Sequence, residues 1–190
     1  MELLTYLLKV NVIFTVLFFI YVLFLRNETH FLARRTWLLA MAILSMGLPL
    51  LPNPIPTHVV LEYQLPSYTV TTGTVPPPSL WDQVPFLALA YSVCASFFLL
   101  RALYRIGVAI AHMKGNGSEA FSFFGHIVLP ANVPEQDRSA LLAHELVHVR
   151  HGHSLDVLLY EVLSALNWAN PLWRKAQQEL RLVHEFTADA

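Results

Sequence analysis

Cys94 is the only cysteine in the chain, so no disulfide forms within it and thiolate ligation of a metal is not expected. Charge is nearly as scarce. Asp, Glu, Lys and Arg together make up 13% of the 190 residues, against ~25% in an ordinary soluble domain. The 12 basic residues are balanced by 13 acidic ones, and without a basic surplus to neutralise phosphates no nucleic acid partner is expected. No Lys or Arg occurs between Arg35 and Arg101, and no internal repeat is visible. What is abundant is apolar: 55% of residues are hydrophobic, mean hydropathy is +0.50, and the apolar runs are bunched in the first hundred positions. The composition is that of a membrane protein.

Three runs are candidate spans. Leu3 to Leu25 would cover ~35 Å as a helix, enough for a hydrocarbon core of ~30 Å. Lys9 and Asn11 lie in its first half, with Lys9 near enough to the end to snorkel. The rival reading is a cleaved signal peptide, but Arg26-Asn27-Glu28 follows in place of a small-residue cleavage site, and the run is too long. Trp37 to Leu51 is short for a span and carries Pro49, so a re-entrant segment is the alternative. Val84 to Leu100 is closed by Arg101, with Trp81 placed as an interfacial anchor. Arg26, Arg34 and Arg35 separate the first two runs, and Arg101, Arg105 and Lys114 follow the third. The positive-inside rule puts both basic clusters on the cytoplasmic side, which requires an even number of crossings between them and favours a true second span. The N-terminus and the Pro- and Thr-rich loop 52–83 are then outside, with a short strand expected at Val59 to Leu65. The membrane domain is expected over 1–105, a linker containing KGNGSEA over 106–120, and a cytoplasmic domain over 121–190.

FSFFGHIVLP (121–130) is an aromatic-rich run bounded by turn signals, read as a strand or hairpin. Pro134 opens a helical pattern that Gly152 can stop. Ser154 can cap a second helix, apolar on almost every face and therefore buried or laid against the membrane. Asn170-Pro171 opens a third, through LWRKAQQELRLVHEFTAD. On the first of these helices His144 and His148 are four apart, so both rings project from one face and can bind one zinc ion. Glu145, beside the first histidine, is placed to take a proton from water activated at the ion, the arrangement of an HExxH motif. A hydrolytic zinc site needs a third protein ligand and an open position. HEFTAD offers Glu185, with Asp189 one turn later. His151 and His153 are alternative ligands or polar neighbours on the following turn. His184 is read as structural and His126 as a packed histidine.

LLAHELVHVRHGHSLDVLLYEVLSALNWANPLWRKAQQELRLVHEFTADA, with FSFFGHIVLP before it, resembles the membrane-embedded metallopeptidases of the beta-lactam-sensing signal transducers (BlaR/MecR type). HELVH, the Asn-Pro before the last helix and EFTAD carry the resemblance. It implies a mainly α membrane protein of three transmembrane helices followed by a cytoplasmic gluzincin-like helical zinc domain with a short strand or hairpin. It further implies His144, His148 and Glu185 as zinc ligands, Glu145 as general base, and Asp189 as the carboxylate that fixes a histidine ligand's tautomer. The implied setting is the bacterial inner membrane, and the implied activity is regulated proteolysis of the protein itself or of a cytoplasmic transcriptional repressor. Part of Phe121 to Leu129 would pair with extended substrate. His153 stands where many such proteins have Asp, and the family's further membrane helix and sensor domain would follow Ala190, so the zinc domain is expected to be incomplete. Tyr160 and His153 are candidate donors to the oxyanion. The alternative reading is a non-catalytic transducer with a structural or vestigial zinc site; an intact Glu145 speaks against it.

Overall fold

In the computed structural model, which describes residues 2–52, 86–112, 120–130 and 132–189, the chain is mainly α-helical, and three helices are long and apolar enough to cross a membrane. Helix α1 is Glu2–Ile20 and continues through a π turn, Tyr21–Leu25, where the Arg26 amide donates to Tyr21 O at 2.9 Å. Helix α2 is Phe31–Gly47, extended by a 3-10 turn over Leu48–Leu50 that accommodates Pro49. Helix α3 is Phe86–His112. The expected strand at Val59 to Leu65, the Trp81 anchor, positions 84–85 of the third run and residues 113–119 of the linker lie outside the described residues.

Two helices run longer than the hydropathy pattern suggests, and Arg34, Arg35 and Arg105, which lie beyond the expected span ends, have partners. Helix α2 starts at Phe31 rather than Trp37 and takes in Arg34, which is 7% exposed. Arg34 donates to Tyr21 Oη and pairs with Glu179 at 3.5 Å, while Arg35 Nε pairs with Asp156 at 2.7 Å. Helix α3 likewise runs past Arg101 to His112, and Arg105 pairs with Glu161 at 2.9 Å. Each carboxylate comes from a helix much later in the chain, so no local pattern announces the pairing.

The remaining elements form the hairpin and helices expected from the motifs. Strands β1 (Phe121–Phe123) and β2 (His126–Val128) pair antiparallel, Phe121 opposite Val128 and Phe123 opposite His126. Phe124 (φ 45°) and Gly125 (φ 84°) are both left-handed, as a two-residue type I′ turn demands. His126 is exposed, not packed; its Nδ1 lies 3.3 Å from Phe124 O. Helix α4 is Glu135–Arg150, α5 His153–Leu166 and α6 Leu172–Ala188. Gly152, at φ +67°, makes the left-handed step between α4 and α5 that a side chain would oppose. Ser154 does not cap α5, since it lies within the first turn of the helix. Its hydroxyl accepts the Phe124 amide at 3.3 Å instead and ties the hairpin turn to α5.

One apolar core joins both halves of the chain. The buried face of α6, Trp173, Ala176, Leu180 and Val183, packs with Val10, Phe14, Phe18 and Tyr21 of α1 and Leu38, Met41 and Ala42 of α2. The Trp173 indole stacks on Phe14 at 3.7 Å between centroids, and its Nε1 donates to Asn11 Oδ1 at 3.2 Å. Asn11 Nδ2 donates to Leu7 O and to Asn167 Oδ1. Asn170 accepts the Leu172 amide, opening α6, and donates to Thr15. The loop joining α5 to α6 is therefore seated at Asn11 to Thr15, ~21 Å along α1 from Leu25 by helical rise. On the other side Tyr91 of α3 donates to Leu166 O. The α5–α6 hairpin thus lies along the spans, with Asn167 and Asn170 at its tip hydrogen-bonded to the protein, as an apolar environment favours, while the buried Trp168 Nε1 has no hydrogen-bond partner among the described residues.

Replacing Asn11 with Leu strands the Trp173 N–H and the Asn167 amide together. The expected cost is about 1–3 kcal/mol, read as a lowered Tm in detergent. Leu23→Ala, on a face that is 74% exposed, should stay within about 0.5 kcal/mol. An Asn11→Leu variant as stable as its parent would contradict this seating of the tip.

Candidate metal centre

Helices α4 and α6 bring three ligand groups to one point. His144 and His148, one turn apart on α4, have their Nε2 atoms 3.3 Å from each other. Glu185 Oε2, from the last turns of α6, lies 3.7 Å from His144 Nε2 and 3.9 Å from His148 Nε2. Donors ~2.0 Å from a tetrahedral ion sit ~3.3 Å apart, so the triangle needs only a slight contraction to hold one. The three residues form the one such cluster found among the described residues. Two imidazoles and a carboxylate are also a borderline donor set that suits zinc.

Groups behind the ligands orient them. Asp189 Oδ1 lies 3.1 Å from His144 Nδ1, which holds the proton on Nδ1 and leaves Nε2 as the free donor. His148 Nδ1 lies 2.8 Å from His153 Nδ1. With His148 Nε2 turned to the ligand triangle, its Nδ1–H donates and His153 accepts. His153 is 3% exposed. It stacks on His184 at 3.9 Å, nearly parallel, and His184 Nε2 sits 3.0 Å from Asp156 Oδ2. Asp156 also accepts Arg35 Nε from α2, whose Nη2 donates to His151 O at 2.6 Å. A continuous series of contacts therefore runs from a membrane helix to His148.

Burial sets the charge states. It holds the His148 imidazole below its ordinary pKa, against the pull of Glu185 and Glu145. His153 is pushed down to about 3, by burial first and then by His184, His148 and Arg35. Neutral imidazole is the form a metal needs. Burial alone would raise the Asp156 carboxyl, but hydrogen bonds from His184 and Arg35 outweigh it and hold it below the ordinary value.

The five residues expected from the sequence, His144, Glu145, His148, Glu185 and Asp189, converge. Glu145 is 7% exposed and lines one cleft of about 500 Å³ with His144, His148 and Glu185. Of the alternatives, His151 is exposed, bonds back to Val147 O, and stands apart from the triangle. His153 stands behind a ligand rather than in the triangle, and its Nε2 has no hydrogen-bond partner among the described residues. Tyr160 is fully buried and donates to Leu38 O at 2.5 Å, so it is committed to the core and not free for an oxyanion. Arg35 and Asp156 were not legible as site residues: Arg35 served only as a topological marker, and no spacing pattern singles out Asp156. Strand β1 and Ile106 and Ala109 of α3 also line the cleft.

Residues 123–190 match the family model described as BlaR1 peptidase M56. The match covers the segment from the hairpin to the last helix, the part of the chain whose motifs carry the resemblance to the BlaR/MecR-type metallopeptidases. No curated protein and no solved structure matches the chain.

Removing an orienting group weakens metal binding without abolishing it. His153→Ala is expected to lower zinc affinity about 10- to 100-fold at unchanged stoichiometry, measured by chelator competition. Unchanged affinity would deny the contact a role, and complete loss would make His153 a ligand.

Proposed function

We propose that the chain is a membrane-bound zinc endopeptidase performing regulated proteolysis in transmembrane signalling, with the protein itself or a cytoplasmic transcriptional repressor as substrate. The observation that carries this reading is the triangle of His144, His148 and Glu185 with Glu145 buried in the same cleft. The match to a peptidase family over residues 123–190 supports it. The zinc domain, 121–190, then works at the cytoplasmic face of a bacterial inner membrane, beside the membrane domain 1–105, with the N-terminus outside. The arginines at one end of the helices support that orientation.

His144, His148 and Glu185 would hold the ion, and Asp189 and His153 would keep the two rings turned towards it. When bound, zinc supplies a Lewis acid that polarises the scissile carbonyl and acidifies the attacking water. Glu145 takes the water proton and returns it to the leaving amine. Its burial suits the task, because a carboxylate shielded from bulk water keeps the proton local. Strand β1 lines the cleft and among the described residues has one hydrogen-bonded neighbour, β2, so its other edge is the one we assign to an extended peptide by strand addition. Phe121 and Phe123 alternate with Ser122 along that strand and offer apolar contact to alternate substrate side chains.

Elemental analysis of the detergent-purified chain should give close to one zinc per chain, lost in His148→Ala and in Glu185→Ala. Glu145→Gln should keep the zinc and lower cleavage at least ~100-fold, the scale of general base catalysis. Zinc-loaded Glu145→Gln with unchanged proteolysis or downstream signalling would sink the enzyme reading. A chain that takes up no zinc after reconstitution would sink the metal reading.

A further inference from the structure

The polar face of α6 does not stop at Glu185. Going back along the helix, Arg181, Gln178 and Arg174 line a second groove of about 230 Å³, closed on its other side by Phe98, Arg101 and Arg105 of α3 and floored by Ser164 and Ala165 of α5. Four guanidinium groups meet one carboxylate there. Glu161 is already shared by Arg105 at 2.9 Å, Arg181 at 3.9 Å and the Gln177 amide at 2.6 Å. Arg174 lies over the Phe98 ring at 5.1 Å. Neither Arg101 nor Arg174 has an ion-pair partner among the described residues. Ser164 is only 8% exposed, and its hydroxyl has no hydrogen-bond partner among them. The groove thus has a surplus of positive charge and an unused buried hydroxyl.

Its position in the fold points to the ligand. Arg174 follows Trp173, which stacks on Phe14 of α1, ~16 Å along that helix from Leu25. Arg101 lies within the candidate span Phe86–Ala111. Unpaired cations beside spans are costly and need a partner. On α3, Arg101 is set ~40° around the helix from Phe97 at ~100° per residue. Phe97 belongs to an exposed apolar stripe with Val93, Leu100 and Tyr104. The groove therefore borders the surface where acyl chains would stand, which suits a ligand with an anionic head and apolar tails. An acidic peptide would have no use for that stripe.

We propose that the groove between α3 and α6 binds the headgroup phosphate of an anionic phospholipid, with Arg101 and Arg174 as its main partners. The phosphate is drawn below the headgroup plane into the groove, a local thinning of the bilayer of the kind that intramembrane arginines impose, and the acyl chains lie on the Val93, Phe97, Leu100 and Tyr104 stripe. The site is separate from the metal ligands and stands whether or not the chain is a peptidase.

Native mass spectrometry of the full chain in detergent, titrated with phosphatidylglycerol or phosphatidylcholine, tests it. Phosphatidylglycerol should bind more tightly by on the order of tenfold, the scale of two arginines acting on one anionic headgroup. The preference should vanish in the Arg101→Ala/Arg174→Ala variant and persist in Arg138→Ala, which alters an exposed arginine on α4. Excess inorganic phosphate should not displace the lipid. Equal binding of the two lipids by the unaltered chain overturns the proposal without any variant, as does a preference that survives the double substitution. Displacement by inorganic phosphate would make the ligand a free anion, and displacement by a glutamate-rich peptide would make the groove a peptide subsite. Either result also overturns it. If the double variant fails to fold, Arg101→Gln alone should reduce the preference at least threefold, and an undiminished preference would count against the proposal.

Discussion

The stack of Trp173 on Phe14, with the indole N–H held by Asn11, fixes where everything on α6 points. It sets the depth of the α5–α6 tip along α1 and the rotation of α6 about its axis. One face is then spent on the core, Trp173, Ala176, Leu180 and Val183. Arg174, Gln178, Arg181 and Glu185 follow on another stripe at helical spacing. A slip of one residue would turn Glu185 by ~100° and take its carboxylate away from the histidine pair. The metal triangle thus depends on a contact almost the full length of the helix away, between a residue of the first span and one of the last helix.

The second determinant is the set of ion pairs that bind the spans to the later helices. Arg34 and Arg26 converge on Glu179, and Arg35 on Asp156. Such partly buried pairs contribute little net stability against apolar replacements, but losing one partner leaves a buried charge uncompensated. Their value here is register. Arg35 holds both the carbonyl that ends α4 and the carboxylate that holds His184, whose ring supports His153 against His148. A shift of α2 would therefore be felt at His148 through packed and hydrogen-bonded groups, which is the kind of contiguous connection that coupling between membrane and site requires.

Helix count, hairpin and the meeting of His144 with His148 were legible because each has a local cause. Apolar length marks the spans, His144 and His148 share a face by helical period, and Gly125 and Gly152 mark turns. The assignment of Glu185 needed more than spacing, since helix-face carboxylates are common, and it rested on the capped helix after Asn170-Pro171. The helices run past the span ends expected at Arg34 and Arg101. A hydropathy window treats an arginine as a boundary, whereas Glu179, more than a hundred residues away, lets Arg34 stay inside the helix. Ser154 and Tyr160 misled in the same manner. A serine after a glycine suggests a cap, and a tyrosine near a metal helix suggests a catalytic donor, but one tethers the hairpin and the other locks α5 to α2. Residue type alone does not tell which of several long-range partners a hydroxyl will find.

That a zinc ion is held by two imidazoles and one carboxylate, with His153 behind the ligands rather than among them, is the claim on which the chemistry turns. X-ray absorption spectroscopy of the zinc-loaded chain in detergent reads the donor set directly. The geometry predicts multiple-scattering features of two histidines and a shell of light donors at ~2.0–2.1 Å, completed by oxygen. Three or more coordinated imidazoles would contradict it and move His153 or His151 into the site.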